Sequence, residues 1–254
     1  MASTARAAPL VRVAVDGPSA TGKSDSAQQL AQRLGFLYVD SGALFRALAL
    51  ALSSKLLPAS NPSAIAAYLT GPENPVPRIQ WTFPPGRIML NGHDVSLAIR
   101  TDEITQKASE YAVLPAVREA LIGLQRHIGV DDPNVRGVVM DGRDIGTTVF
   151  PDADAKLFLD GDVHVRAARR VRQRRQQMAA AGDEKLFDAA ALDVVRVAEA
   201  LAARDYRDRT RPQGALACAP DAVVIDSASV TLTEQVDMME KAVRSRLACD
   251  ATLL

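Results

Sequence analysis

The sequence predicts an α/β fold, in which a five-stranded parallel sheet carries helices on both faces. Five short apolar segments alternate with segments of helical pattern, which is typical of parallel strands joined by helices. The first apolar segment leads into a glycine-rich loop and then a helix, an arrangement that binds phosphate. A chain of 254 residues is long enough to bury one such core and to carry additional elements.

Each predicted strand ends in a polar loop. The strands are predicted at 11–15, 35–39, 137–140, 155–159 and 221–225. The helices are predicted at 24–34, 43–52, 102–113 with Thr101 as its N-cap, 115–127, from about 162 onward, 189–203 and 233–247, and a separate charged string is predicted at 204–211. Ligands of a parallel sheet bind beyond the carboxyl ends of its strands. We therefore expect one cleft to collect the polar residues at those ends: Asp16, Asp40, Ser41, Asp141, Gly142, Arg143, Asp144, Asp160 and Asp226.

Two stretches depart from the alternation of strand and helix. Residues 60–99 contain many prolines, an alternating segment at 78–83 and an Asn91-Gly92 turn signal, which together indicate a small antiparallel β insertion. Residues 162–212 are rich in arginine, a residue that binds phosphate groups. An enzyme that transfers a phosphoryl group also needs a lid that closes and excludes water, and this segment is the candidate for it. We interpret residues 1–254 as one unit, with the insertion and an arginine-rich lid within it.

The glycine-rich loop fits the pattern G-x-x-x-x-G-K-[ST] at every fixed position. Its glycines let the backbone approach a phosphate closely, and successive N–H groups form an anion-binding nest. Lys23 can reach the outer phosphates, and the Ser24 hydroxyl can hold Mg²⁺. The predicted residues for binding ATP are Gly17, Pro18, Ser19, Ala20, Thr21, Gly22, Lys23 and Ser24.

Composition narrows the classes of partner. Lys and Arg number 30, as do Asp and Glu, so zero net charge gives no support to bulk binding of nucleic acid. The two cysteines have no metal-like spacing, and no apolar run approaches the ~18 residues that span a bilayer. We expect a cytoplasmic protein, acting as a monomer without a membrane or nucleic-acid partner.

The motifs at Asp40-Ser41-Gly42 and Asp141-Gly142-Arg143-Asp144 closely resemble the bacterial-type cytidylate kinase family, one of the P-loop nucleoside monophosphate kinases. The resemblance covers nearly the whole chain. Its other parts are the phosphate loop, the β insertion, Val117-Arg118-Glu119-Ala120-Leu121, the arginine-rich segment and Arg204-Asp205-Tyr206-Arg207-Asp208-Arg209.

The resemblance implies transfer of the γ-phosphoryl group of ATP, with Mg²⁺, to CMP or dCMP. It assigns Ser41, Arg46, Arg143 and Arg211 to the phosphate of the acceptor, Ser109, Arg118 and Asp144 to the cytosine edge, and Arg204 and Asp208 to the sugar. Lys23, Arg143, Arg169, Arg170 and Arg211 are then the catalytic set, with Arg169 and Arg170 closing from the lid. Asp141 is expected to act with Ser24 on the metal, through water, and a cap at a helix or turn is its alternative role.

Two loop residues depart from the family pattern. Ala20 replaces a glycine that is usual there, and Asp25 stands where Ser or Thr is usual. A carboxylate beside Ser24 can repel the α-phosphate, or it can cap the helix from the outside without effect on ATP. We hypothesise that Asp25 slows turnover or weakens ATP affinity.

Three other readings compete with a CMP kinase. The same fold could act on another acceptor, UMP or AMP. A regulatory module could bind nucleotide without transferring phosphate, but it would have no use for the acceptor-side arginines. The arginine-rich helix could bind nucleic acid, which the zero net charge disfavours.

Overall fold

The computed structural model describes residues 9–82, 86–183 and 186–249. The strands among them are β1 Val11–Asp16, β2 Leu37–Asp40, β3 Ile79–Thr82, β4 Arg87–Leu90, β5 His93–Asp94, β6 Gly137–Asp141, β7 Ala155–Asp160 and β8 Val223–Asp226. The α-helices are α1 Lys23–Leu34, α2 Ser41–Ser54, α3 Pro62–Thr70, α4 Asp102–Tyr111, α5 Pro115–His127, α6 Val163–Ala181, α7 Val194–Thr210 and α8 Leu232–Cys249.

The five predicted strands form one parallel sheet in the order β2-β6-β1-β7-β8, as expected. Alternate residues of β1 face opposite sides, because side chains alternate along a strand. Val13 and Val15 pack against α1 and α8, whereas Ala14 packs with residues of β2, β6 and the turn after β6. Because the five strands run parallel, their carboxyl ends lie at one edge of the sheet.

The helices begin close to their predicted starts, and their caps explain the small differences. Asp40 caps α2 by accepting a hydrogen bond from the N–H of Ala43, so the helix starts at Ser41, two residues before the prediction. Thr101 caps α4 in the same way, as predicted. Gly35 ends α1 in a left-handed conformation with φ +67°.

The insertion is only partly the antiparallel element that the sequence predicts. Strands β3, β4 and β5 form a three-stranded antiparallel sheet, which confirms the prediction for residues 79–94. The prediction of β structure from residue 60 is wrong, because 62–70 is helix α3. Asn61 caps α3 and Pro62 occupies its first turn, where a proline needs no hydrogen-bond donor. Phe83, which we expect in the insertion's core, lies outside the described residues.

The arginine-rich stretch forms two packed helices, α6 and α7. Ala167, Val171, Val197 and Ala198 form a small core between them. The prediction of a helix at 189–203 followed by a separate charged string is wrong, since α7 starts at Val194 and continues through the string to Thr210. The side chain of Asp193 caps its N-terminus. The charged residues of the string therefore lie on helical faces.

No helix in the described ranges is both long enough and apolar enough to cross a lipid bilayer.

Candidate active site

An open cleft of about 1870 Å³ lies at the carboxyl edge of the sheet. Among the predicted site residues, those that line it are Ser19, Ala20, Thr21, Gly22, Lys23, Ser24, Ser41, Arg46, Ser109, Arg118, Asp141, Arg143, Asp144, Arg169, Arg170, Arg204, Asp208 and Arg211. Gly17 and Pro18 are buried beneath it. Segments that are far apart in sequence thus meet in one place.

Three of the polar strand ends do not line the cleft, so the expectation that all of them converge there is wrong. Asp16 is buried below it and accepts hydrogen bonds from the backbone N–H groups of Ile145 and Gly146. Asp160 and Asp226 accept from nearby N–H groups in their own turns. Their carboxylates therefore stabilise local turns.

The glycine-rich loop is held in a shape that its glycines require. Gly17 has φ +145°, and a Cβ at this position would overlap the backbone carbonyl of Leu159. Gly22, with φ +78°, precedes the first turn of α1. Lys23 is buried and donates to the carbonyl oxygen of Pro18. Burial, together with the nearby Arg143, lowers the pKa of Lys23 well below its ordinary value, and an anion in the loop would oppose that shift.

Ala20 has a left-handed backbone conformation with φ +62°. This conformation costs a residue with a Cβ about 1–2 kcal/mol, whereas glycine adopts it freely. Glycine also loses more entropy on folding, so we expect Ala20→Gly to raise the free energy of unfolding by about 0.5–1 kcal/mol. Urea denaturation without nucleotide measures this. Ala203→Gly, an exposed position inside α7, is the control and should lower stability by about 1 kcal/mol; losses in both variants would contradict the argument.

Ser24 and Asp141 form an all-oxygen site beside the loop. The Ser24 hydroxyl donates to Asp141 Oδ2 at 3.0 Å, and Tyr38 Oη donates to Asp141 Oδ1 at 2.8 Å. Burial and the nearby Asp40 raise the pKa of Asp141 to about 6. Mg²⁺ prefers oxygen ligands and usually binds through one or two carboxylates, water and substrate phosphates. The donor set fits this ion, which would stabilise the ionised carboxylate.

Acidic side chains orient the arginines on the acceptor side. Arg143 Nε donates to Asp208 Oδ2 at 2.9 Å. Arg118 pairs with Asp144, and an Arg211 terminal nitrogen lies 3.4 Å from the other oxygen of Asp144. The side chains of Arg118, Asp144 and Arg211 are 10%, 6% and 5% exposed. They form a buried polar cluster.

The arginines in and around this cluster have positive charge and unpaired N–H donors that suit an anion. Burial lowers the pKa of Arg204 and Arg211 to about 10, because their charges are poorly solvated and lie near other arginines. The Nε atoms of Arg46 and Arg204 are buried and have no hydrogen-bond partner among the described residues. Such unpaired donors are costly unless a ligand satisfies them. Ser41, buried at the start of α2, and the half-buried Ser109 complete the lining.

The two lid arginines have different surroundings. Arg169 donates to the backbone carbonyls of Ser227 and Val230, which anchors α6 to the loop after β8. Among the residues that the structure describes, Arg170 donates only to Gln173 on its own helix, and it also lines the cleft. Arg170 is therefore the less constrained of the two.

Sequence reasoning did not assign roles to four residues that support the site. Arg166 is buried, pairs with Asp205 at 2.8 Å and donates to the backbone carbonyl of Ser19. Tyr38 orients Asp141, and Asp16 holds the turn after β6. Arg166 lies in the arginine-rich segment 162–212, but its partner Asp205 on α7 could not be identified from spacing alone.

Asp16 predicts a dependence of stability on pH. Burial raises its pKa to about 7 in the folded protein, whereas an unfolded chain has a value of about 3.9. The folded state therefore retains a proton that the unfolded state has lost, and the stabilisation falls as pH rises from about 4 to about 7, by at most ~1.4 kcal/mol per pH unit. In thermal unfolding between pH 5 and pH 8, Asp16→Asn should show a flatter dependence. Parallel curves for the two proteins would exclude this role.

Asp25 lies exposed in the first turn of α1, at the rim of the cleft, and has no hydrogen-bond or ion-pair partner among the described residues. Water screens an exposed charge, so we expect only about a two- to fivefold decrease in the KM for ATP on Asp25→Thr. Asp25→Asn, which removes the charge but keeps the size, should give the same change. Unchanged kinetics would remove the hypothesis that Asp25 weakens ATP binding.

Comparisons with known proteins show which family the chain is similar to. The family model described as cytidylate kinase matches residues 13–245. A cytidylate kinase of Solibacter usitatus is 40% identical over 242 residues, which cover 93% of this chain and 94% of that protein. One from Streptomyces avermitilis is 39% identical over 245 residues, with coverage of 96% and 97%. The chain belongs to the cytidylate kinase family.

Proposed function

We propose that the protein transfers the γ-phosphoryl group of Mg·ATP to CMP or dCMP, giving ADP and CDP or dCDP. The observation that carries the proposal is that the phosphate loop and a second group of arginines line one cleft and meet at Arg143, whose terminal nitrogen donates to Ser19 Oγ at 2.7 Å. Transfer between two phosphates needs both anions close together with their charge neutralised. A protein that only binds ATP has no need for the second region.

On the donor side, the loop 17–24 would hold the phosphates of ATP with the backbone N–H groups of its residues other than Pro18 and with the side chain of Lys23. Ser24 and Asp141 would hold Mg²⁺, Asp141 through water, and the ion would supply neutralisation of charge on the phosphate oxygens. Tyr38 keeps the Asp141 carboxylate in place by bonding the oxygen that Ser24 does not contact.

On the acceptor side, an oxygen of the monophosphate forms the new bond to the γ-phosphorus as the bond to the ADP oxygen breaks. This oxygen is largely ionised at neutral pH, since the second pKa of a phosphate monoester is about 6, so the reaction needs no general base. The residues proposed for the acceptor phosphate are Ser41, Arg46, Arg143 and Arg211. Arg204 and Asp208 are proposed for the sugar.

The cytosine ring is proposed to contact Ser109, Arg118 and Asp144. An ionised carboxylate has about four acceptor positions, so Asp144 can accept from the exocyclic amine while it remains paired with the two arginines. Arg118 can donate to the carbonyl oxygen O2 and the ring nitrogen N3 of cytosine. Uracil carries an oxygen in place of that amine, and a buried carboxylate facing it would lose a hydrogen bond and gain repulsion.

We also propose that the two elaborations close on the substrates. Arg169 and Arg170 would bring α6 toward the transferring phosphoryl group, and the insertion at about 60–99 would cover the acceptor. We propose a cytoplasmic monomer with no nucleic-acid or membrane partner. Light scattering after size exclusion should give a mass near 27.1 kDa; a dimer mass would contradict this part.

The test of the main proposal is release of ADP from Mg·ATP with CMP, dCMP, UMP, AMP or no acceptor. Fast release with CMP or dCMP alone is expected. Equal release with UMP or AMP would favour another acceptor. Slow release with every acceptor, while ATP still binds, would favour a regulatory nucleotide-binding protein.

A further inference from the structure

Ser19 of the phosphate loop contacts side chains from three other segments. Its hydroxyl oxygen accepts from Arg143 at 2.7 Å, and its carbonyl oxygen accepts from Arg166 on α6 at 2.9 Å. Its backbone N–H donates to Asp205 on α7 at 3.4 Å. Ser19 itself is 7% exposed. One residue of the loop is thus held from the turn after β6 and from both lid helices.

The bond to Arg143 differs from the other two because it is made by the side chain. Arg166 and Asp205 bind the backbone of Ser19, so any residue other than proline at this position could keep those contacts. The bond from Arg143 Nη2, by contrast, needs an acceptor atom on the side chain of residue 19. Arg143 also donates from Nε to Asp208 and from Nη1 to the carbonyl of Gly142.

These contacts leave Arg143 with free donors. A guanidinium has five N–H groups, and the bonds to Ser19, Asp208 and Gly142 use three of them, one on each nitrogen. One N–H therefore remains on each terminal nitrogen. Two such donors suit a phosphate oxygen pair, provided that the side chain stays in one rotamer.

We propose that Ser19 couples the donor and acceptor sites by positioning Arg143. The inference rests on the proposed function, in which Arg143 binds the acceptor phosphate. A triphosphate bound in the loop restrains Ser19 further, and its hydroxyl then holds the guanidinium more strictly in the orientation that the acceptor needs. The acceptor consequently loses less side-chain entropy on binding. Linkage makes the effect reciprocal, so a bound acceptor strengthens donor binding by the same factor.

The expected size of the coupling follows from the ordering of one long side chain, about 0.5–1.5 kcal/mol, which corresponds to about a two- to tenfold change in affinity. Calorimetric titration of CMP, with and without Mg²⁺ and the non-hydrolysable β,γ-imido analogue of ATP, measures it. In the unchanged protein, the analogue should tighten CMP binding by that factor. In Ser19→Ala the factor should fall to about one.

Two variants separate the hydroxyl from its surroundings. Ser19→Thr keeps an oxygen acceptor and should retain the coupling, whereas Ser19→Cys keeps the size with a weak acceptor and should lose it. Ser26→Ala is the matched control: it removes a buried hydroxyl near the loop that bonds Gly22, Lys23 and Gln235 but not Arg143. The control should couple normally.

The outcomes distinguish this inference from the function on which it rests. Absence of ADP release with CMP in the unchanged protein would overturn the proposed function and the coupling together. Normal CMP turnover would leave the function standing but overturn the inference if the analogue does not change CMP affinity. Retention of the full coupling factor by both Ser19→Ala and Ser19→Cys would also overturn it.

Discussion

Replacement of Arg143 by alanine should lower kcat/KM by about 10³-fold or more for every acceptor. Removal of an arginine that neutralises charge on a transferring phosphoryl group typically costs 10³–10⁵ in rate. Arg143 lies between the phosphate loop and the acceptor arginines, bonded to Ser19 and Asp208, and no other side chain that the structure describes bonds to both of these residues. Steady-state kinetics with CMP, dCMP and UMP measures the change.

Two further variants make the result specific to Arg143. Arg143→Lys keeps the charge but loses the planar fork, so its activity should fall between those of the alanine variant and the unchanged protein. Arg244→Ala removes an exposed arginine that pairs only with Glu240 on its own helix, and it should leave the kinetics unchanged. A loss in Arg143→Ala that is confined to CMP would contradict a role on the phosphate and would indicate a role on the base.

Replacement of Asp144 by alanine should relax the choice of base rather than abolish transfer. The ratio of kcat/KM for CMP to that for UMP should fall by about 10²-fold or more, because hydrogen-bonding pockets discriminate strongly when a mismatched base leaves buried groups unpaired. The loss should come mainly from CMP. Similar losses with CMP and UMP would contradict a base-reading role for this carboxylate.

The alanine variant also carries a stability cost that must be measured separately. Removal of the carboxylate leaves the buried charges of Arg118 and Arg211 without their shared partner. Breaking a buried ion pair in this way lowers the free energy of unfolding by about 3–5 kcal/mol. Asp144→Asn keeps the size and can still accept from one arginine. The ratio of CMP to UMP should fall in both variants, whereas the thermal midpoint should fall further in Asp144→Ala.

The sheet and the phosphate loop could be predicted because their signals are local. Short apolar strands alternate with helices, and the glycines of the phosphate loop have a fixed spacing. The convergence of distant residues such as Ser41 and Arg211 on one cleft followed from the rule that parallel strands place their carboxyl ends together. The family resemblance added roles that spacing alone does not assign, and those roles remain predictions.

The failures have equally physical causes. Prolines around residues 58–77 suggested broken structure, but Pro62 occupies the first turn of α3, the one helical position that tolerates it well. The sequence predicts a separate charged string at 204–211, but the stretch is helical as far as Thr210. Asp205 pairs with Arg166 and Asp208 pairs with Arg143, and these partners lie about forty or more residues away in the sequence. Asp160 and Asp226 failed to reach the cleft because nearby N–H groups satisfy them.

The small core between α6 and α7 affects how easily this pair of helices opens locally. Its members are two alanines and two valines, which bury little apolar area, and it is separate from the cores that cover the sheet. Segments with few buried apolar contacts open at a lower free energy than the whole domain. We therefore expect the outer turns of this pair, beyond the buried Arg166–Asp205 ion pair, to open at a lower free energy than β1. Local fraying there would release α6 and α7 without dismantling the strands that hold the phosphate loop.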